Sequence, residues 1–287
     1  MGPSMSPDVF IYGAITGLAL GLTGGGGTML ALPFLMYGLG LPAHDAVAVS
    51  LVAVGAMAFV GALARLRAHQ LQLHLGVLFA IAGMLGAPIG ALFAHLLSDL
   101  VLSIGFAVLT LLVAVRLWQR AHGPLPTDSA SLPDSALLRH AACRFDPNGH
   151  LRLTSHCLRL LIPTGFATGI ISGLFGVGGG FVVVPALVLI AGIDIRQATA
   201  TSLLVVALVS LSGAAGAFAG GVRVDPTLVV VFAGAGVVGL ELGSRFGRRL
   251  PERLVQRGFS VALVLVAIAL ILIPFIQSVS SHNRGVA

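Results

Sequence analysis

The sequence predicts an all-α polytopic membrane protein made of two inverted-topology helical repeats whose helices are broken by glycine. Three observations carry this. The 287-residue chain is 57% hydrophobic and 9% charged, with a mean hydropathy of +1.03, which is more apolar surface than a soluble core hides. A glycine-rich break interrupts apolar sequence twice: residues 13–33 read GAITGLALGLTGGGGTMLALP and residues 165–185 read GFATGIISGLFGVGGGFVVVP, matching at a constant offset of 152 residues. Finally, the arginines fall in loops of opposite phase in the two halves.

The elements follow in order. Apolar segments run at about 9–22, 28–39, 46–64, 75–97 and 100–117, and after a polar stretch at about 160–174, 180–191, 198–219, 227–246 and 254–276. This divides the chain into a first transmembrane repeat (8–118), a polar linker (119–159) and a second transmembrane repeat (160–277). A helix needs about 20 residues to cross the hydrocarbon core, so the first two segments of each half are too short for ordinary spans and are expected to be discontinuous or hairpin elements. MGPSMSPDVF has no basic n-region and no small-residue cleavage pattern, so no removable signal peptide is expected.

Orientation is read from arginine, because every one of the 16 basic residues is Arg. In the first half the loop after the third segment carries Arg65 and Arg67, and the loop after the fourth carries only His95 and Asp99. In the second half Arg223 follows the third segment, and Arg245, Arg248, Arg249, Arg253 and Arg257 follow the fourth. With the halves inverted, fourteen Arg face the cytoplasm with the linker, and only Arg223 and Arg284 lie outside, together with both termini. Arginines lying between apolar spans, with no aromatics interleaved on a solvated face, exclude a nucleic-acid partner. The expected surroundings are a lipid bilayer. The sequence fixes no oligomeric state.

Glycines spaced by four, as at Gly13, Gly17 and Gly21, put bare backbone on one helical face and let helices approach closely in lipid. The runs Gly24 to Gly27 and Gly176, Gly178, Gly179, Gly180 are different, since glycine costs about 1 kcal/mol relative to alanine in a helix. The helix is expected to stop there, facing protein or a wet cavity. The segments resuming at Thr28 and Gly180 would point N–H groups into that cavity, which favours an anion. Candidate substrate-binding residues are therefore Gly26, Gly27, Thr28, Gly178, Gly179 and Gly180, with backbone packing as the plain alternative. A second matched stretch, AVAVSL at 46–51 and ATATSL at 198–203, adds Ser50 and Ser202, whose hydroxyls either donate to an anion or bond the i−4 carbonyl. Thr199 and Thr201 are weaker candidates of the same kind.

Glu241 is the one acid well inside an expected span, opposite Pro88 in the first half. Such a group proposes proton coupling, although a residue reaching toward Arg245 and Arg248 is the better reading. Neither GGGGT nor GVGGG has the lysine of a phosphate loop or the context of a dinucleotide fingerprint, and no HExxH or GxSxG occurs, so no cofactor and no enzymatic activity are expected. The linker histidines His140, His150 and His156 have no ligand spacing, so no metal is expected. Cys143 and Cys157 fit neither CxxC nor a zinc pattern and read as free thiols.

At these residues the chain resembles the sulfite exporter TauE/SafE family, through Gly173 to Gly180 and on to Pro185, the ATATSL stretch, and Gly236, Gly239 and Gly243 leading into Arg248-Arg249-Leu250-Pro251. The resemblance implies a multi-pass inner-membrane protein of about eight spans that moves sulfite or related sulfur-containing or organic anions. Together with the repeats, it gives the expected function: a secondary transporter of a small anion, working by alternating access at a site between the repeats. The rival is a non-transporting membrane scaffold or sensor acting through the linker.

Overall fold

The computed structural model describes residues 7–68, 70–122, 144–145, 151–152, 155–222 and 224–247, with six further positions between 258 and 268. Helix α1 (Pro7–Thr23) leads through the first glycine break into a second arm, α2 (26–38), which opens as a 3-10 turn at Gly26–Leu30 and ends in a π turn at Phe34–Gly38. Helices α3 (Ala43–Arg67), α4 (Leu73–Leu96) and α5 (Asp99–His122) complete the first half. Two-residue strands β1 (Arg144–Phe145) and β2 (Leu151–Arg152) pair antiparallel before α6 (Ser155–Phe175), the second break, α7 (180–191), α8 (Ile195–Ala219) and α9 (Pro226–Gly247). Most of the tenth expected segment, with Arg248, Arg249, Arg253 and Arg257, lies outside the described residues, as do Arg223 and most of the linker.

Helix directions follow from which residues face each other. Gly13, Gly17 and Gly21 of α1 lie against Phe232, Gly236 and Leu240 of α9, and Gly165, Gly169 and Gly173 of α6 lie against Phe79, Gly83 and Ala87 of α4, so each of these pairs runs parallel. Through the centre, Leu51, Gly55 and Gly61 of α3 face Gly213, Ser210 and Leu203 of α8, so α3 and α8 are antiparallel. Met57 and Gly61 of α3 also reach Gly236 and Leu240 of α9, while Gly76, Gly83 and Pro88 of α4 meet Thr201, Val209 and Gly216 of α8. Hence α1, α3 and α9 point one way, and α4, α6 and α8 the other. Each of α1, α3 and α4 is thus antiparallel to its counterpart α6, α8 or α9.

Two consequences are geometric. The C-terminal ends of α3 and α9, with Arg65, Arg67 and Arg245, gather at one end of the bundle with the N-terminal ends of α6 and α8, with Arg159 and Arg196. There Gln72 Nε2 donates to Gln197 Oε1 at 3.4 Å. Because α1 and α3 both begin at the opposite end, α2 carries the chain back toward where α1 started, so α1 and α2 form a hairpin turned at the glycine break. The same reasoning makes a hairpin of α6 and α7.

The packing explains why the small residues are where they are. A Cβ on Gly17 would land on the backbone of Gly236, and one on Gly169 on the backbone of Gly83, so the four-residue glycine spacing allows the parallel helices to touch main chain to main chain. Of the five long apolar helices among the described residues, α3 and α8 are the most enclosed, with 72% and 61% of their most apolar stretches buried. Around the outside, Phe59, Leu85, Phe93, Ile104, Leu112 and Val230 are each more than half exposed, an apolar surface that fits lipid rather than water. Cys157, buried in α6, is disulfide-bonded rather than the free thiol read from spacing, which carries no information about what the fold brings together. Cys143 lies outside the described residues.

Candidate functional site

Both first arms end the same way. Gly24 (φ 73°) donates its N–H to Leu20 O, and Gly176 (φ 68°) donates its N–H to Ser172 O, each at 2.8 Å. A left-handed residue after the last turn is the usual way to end a helix, and glycine adopts it without a Cβ penalty. The freed backbone then runs inward, and the two breaks meet. The Gly180 carbonyl lies 2.7 Å from where a Cβ on Gly25 would sit, and the Gly25 Cα lies 2.5 Å from where a Cβ on Gly180 would sit. The meeting point is halfway through the bundle: Gly178 and Gly180 face Val206, and Gly178 also faces Val54, neighbours of the central residues of α8 and α3.

Each break is tied to the other half by a serine. Ser50 Oγ on α3 donates to Gly176 O at 2.6 Å, and the hydroxyl of Ser202 on α8 reaches Gly24 O and, at 2.8 Å, Thr199 O. Both serines are fully buried. Ser50 and Ser202 correspond in the internal repeat, as do Gly24 and Gly176, so the two ties are counterparts. A hydroxyl has one proton, and in this conformation both serines give it to protein carbonyls. Of the two alternatives read from the sequence, bonding to the i−4 carbonyl is not what these serines do here.

The two breaks differ in how their polar groups are satisfied. In the first, Gly27 donates its N–H to Thr23 Oγ1 at 2.9 Å and Thr28 Oγ1 donates to Gly25 O at 2.8 Å, so part of the donor set assigned to 26–28 is engaged locally. Thr28 is the third residue of a 3-10 turn rather than the first of an α-helix. In the second, Gly178 (φ 67°) and Gly179 (φ 68°) are both left-handed, and the helix restarts at Gly180. Its first N–H groups have no intrahelical acceptor, whereas those of Val182 and Val183 return to Gly179 O.

Two side chains that sequence reasoning missed sit beside this second break. Ser210 Oγ is 2.9 Å from where a Cβ on Gly178 would sit, and Ser172 Cβ is 3.5 Å from the corresponding point on Gly179. Both serines are fully buried, and neither hydroxyl has a hydrogen-bond partner among the described residues. The available signal was the mismatch between the halves, since Leu20 and Ala58 occupy the corresponding positions of the first.

Of the remaining candidates, Thr199 touches the first break, whereas Thr201 and Glu241 make their contacts elsewhere. Thr199 packs its methyl on Gly24, and Thr201 Oγ1 accepts from Gln72 N–H at 3.1 Å. The Glu241 carboxylate accepts from Arg245 Nε at 2.8 Å with side chains 49% and 66% exposed, which puts this pair on the outer surface near the end of α9. Among the described residues no group of three His, Cys, Asp or Glu could hold a metal ion. The residues named at the junction are all uncharged, so it offers hydroxyls and backbone dipoles.

Among the described residues five helices are long and apolar enough to cross a membrane, and broken helices that meet in the interior mark a transporter's binding region, so fold and site together define a multi-pass helical membrane protein of the transporter class. The chain belongs to the sulfite exporter TauE/SafE family, whose model, described as "Sulfite exporter TauE/SafE", matches residues 9–270. It is 30% identical over 262 residues to a "Probable membrane transporter protein" of Xylella fastidiosa (strain 9a5c), covering 90% of this chain and 92% of the relative. It is 32% identical over 266 residues to a protein of the same description from Xylella fastidiosa (strain Temecula1 / ATCC 700964), with the same coverage. To "Probable membrane transporter protein YunE" of Bacillus subtilis (strain 168) it is 24% identical over 268 residues, covering 91% and 95%. No solved structure gives a significant match.

Proposed function

We propose that this protein is a secondary transporter of a small anion, sulfite or a related sulfur-containing or organic anion, working by alternating access at the junction of the two glycine breaks. The observation that carries the reading is the contact of Gly25 with Gly180 halfway along α3 and α8, where two interrupted backbones and neutral hydroxyls converge. Unwound backbone at membrane depth presents N–H dipoles that favour negative charge, and among the described residues no acidic side chain stands at the junction to oppose an anion. In this reading 8–118 and 160–277 are inverted repeats and 119–159 is a cytoplasmic linker, supported by opposed helix directions and by arginines gathered at one end. The matched ties Ser50 to Gly176 and Ser202 to Gly24 suit a rocking motion, since breaking one set and keeping the other would open the junction to one side. In this reading Glu241, paired with Arg245 on the outer surface, anchors the end of α9 rather than coupling transport to protons.

Flux in proteoliposomes tests this. With the purified full chain, sulfite, sulfate, an alkyl sulfonate and a carboxylate are compared with and without a pH gradient. At least one anion should move in a saturable way above protein-free vesicles. Absence of flux for all four would overturn the reading.

A further inference from the structure

We infer that the ligand is held off the pseudo-twofold axis, in the second half alone, by the hydroxyls of Ser172 and Ser210 beside Gly178 and Gly179; this rests on the transporter reading above. A buried hydroxyl without a partner is destabilising, so a folded protein that keeps two of them, one against Gly178 and one beside Gly179, has a use for them beyond packing. Elsewhere in the bundle buried hydroxyls are satisfied: Thr16 donates to Tyr12 O, Thr110 to Phe106 O and Thr168 to Thr164 O, and Ser50 and Ser202 tie the breaks. Ser172 and Ser210 stand out because both flank one two-residue stretch, Gly178–Gly179, from different helices, α6 and α8. Without a Cβ, Gly178 lets its backbone lie against the Ser210 hydroxyl, since a methyl group there would sit 2.9 Å from the Ser210 oxygen and 2.8 Å from Val206 Cγ1.

The chemistry of such a pair selects its ligand class. Two hydroxyls in an otherwise apolar interior donate two hydrogen bonds without bringing in a charge. They suit a compact oxyanion whose oxygens accept both while other oxygens face the backbone N–H groups at the start of α7. The first half cannot reproduce this, because Leu20 and Ala58 occupy the matching positions and Gly27 is packed on the backbone of Ala19 and Leu20. One ligand per chain follows, rather than two related by the internal symmetry.

The test uses Ser172→Ala, Ser210→Ala and the double variant of the full chain, with Thr16→Ala as a buried but partnered control. Flux of whichever of sulfite, sulfate, alkyl sulfonate or carboxylate the native protein carries is measured in proteoliposomes. Melting temperature in detergent is measured with and without the same anion. Each serine variant should raise KM roughly tenfold and abolish most of the anion-induced rise in melting temperature, while its ligand-free melting temperature stays equal or increases. Native KM in both variants would overturn the inference and leave the transporter reading standing. So would a lowered ligand-free melting temperature, since it would show that the hydroxyls bond within the protein. No flux in the native protein would overturn both.

Discussion

The hydroxyl of Ser50 donates to the carbonyl of Gly176, a residue of the other half of the chain, at 2.6 Å, and so ties the middle of one repeat to the broken helix of the other. Ser202 makes the counterpart tie to Gly24. Loss of either hydroxyl leaves a buried glycine carbonyl without its donor, at a cost of about 1–3 kcal/mol. Ser50→Ala and Ser202→Ala should therefore each lower the melting temperature by a few degrees and alter maximal flux more than KM. That split separates them from substitutions at Ser172 and Ser210, which act on KM. A thermal-unfolding series run beside flux at several anion concentrations distinguishes the two patterns.

The contact of Gly25 with Gly180 makes a second prediction. A methyl group on either residue would meet opposing backbone at 2.5–2.7 Å, and main chain cannot rotate away as a side chain can. Gly25→Ala and Gly180→Ala should still insert in the membrane, through the intact α1–α9 and α4–α6 contacts, but lose at least tenfold in flux. Gly234 in α9 has nothing within 4 Å of its Cβ position, so Gly234→Ala should transport normally and gain up to about 1 kcal/mol from helix propensity. Membrane fractionation followed by flux on the three variants checks this.

These two sets of residues show what was legible in the chain before its structure. Glycine is visible to sequence reasoning because its spacing encodes a helical face, and the rows through Gly17 and Gly169 do bring α1 onto α9 and α6 onto α4. The interruptions at 24–25 and 176–179 were legible for the same reason, since runs of glycine contradict a continuous helix. The acceptors of Ser50 and Ser202 were not legible, because they are backbone carbonyls more than a hundred residues away. Nor were Ser172 and Ser210, whose importance lies in burial without a partner, a property of packing rather than of spacing. Glu241 shows the opposite case: its i,i+4 partner Arg245 was readable from helical spacing and is the partner observed.

That pairing yields a third prediction. The Glu241 carboxylate lies on the outer surface and is already paired, so removing its charge should alter stability by no more than about 0.5 kcal/mol. Glu241→Gln should keep native flux, with the same dependence on an imposed pH gradient. A variant that still transports but no longer responds to the gradient would place the carboxylate in the coupling path.

The opposed helix directions make a fourth prediction, about sidedness. α1 and α9 are parallel and in register, so Asp8 near the start of α1 and Thr227 near the start of α9 lie at one end of the bundle. Gln197 at the start of α8 and Gln70 beyond the end of α3 lie at the other, next to Arg65, Arg67 and Arg196. All four are exposed. Since arginine-rich ends are retained in the cytoplasm, single cysteines placed in a chain with Cys143 and Cys157 replaced by serine should divide into two classes. Asp8→Cys and Thr227→Cys should react with a membrane-impermeant maleimide in intact cells, and Gln70→Cys and Gln197→Cys only after permeabilisation. If Asp8→Cys and Gln197→Cys reacted from the same side, α1 and α8 could not begin at opposite ends of the bundle. Reaction of Gln70→Cys and Gln197→Cys alone in intact cells would instead keep the helix directions and reverse the orientation, placing the arginine-rich end outside against the expected charge bias.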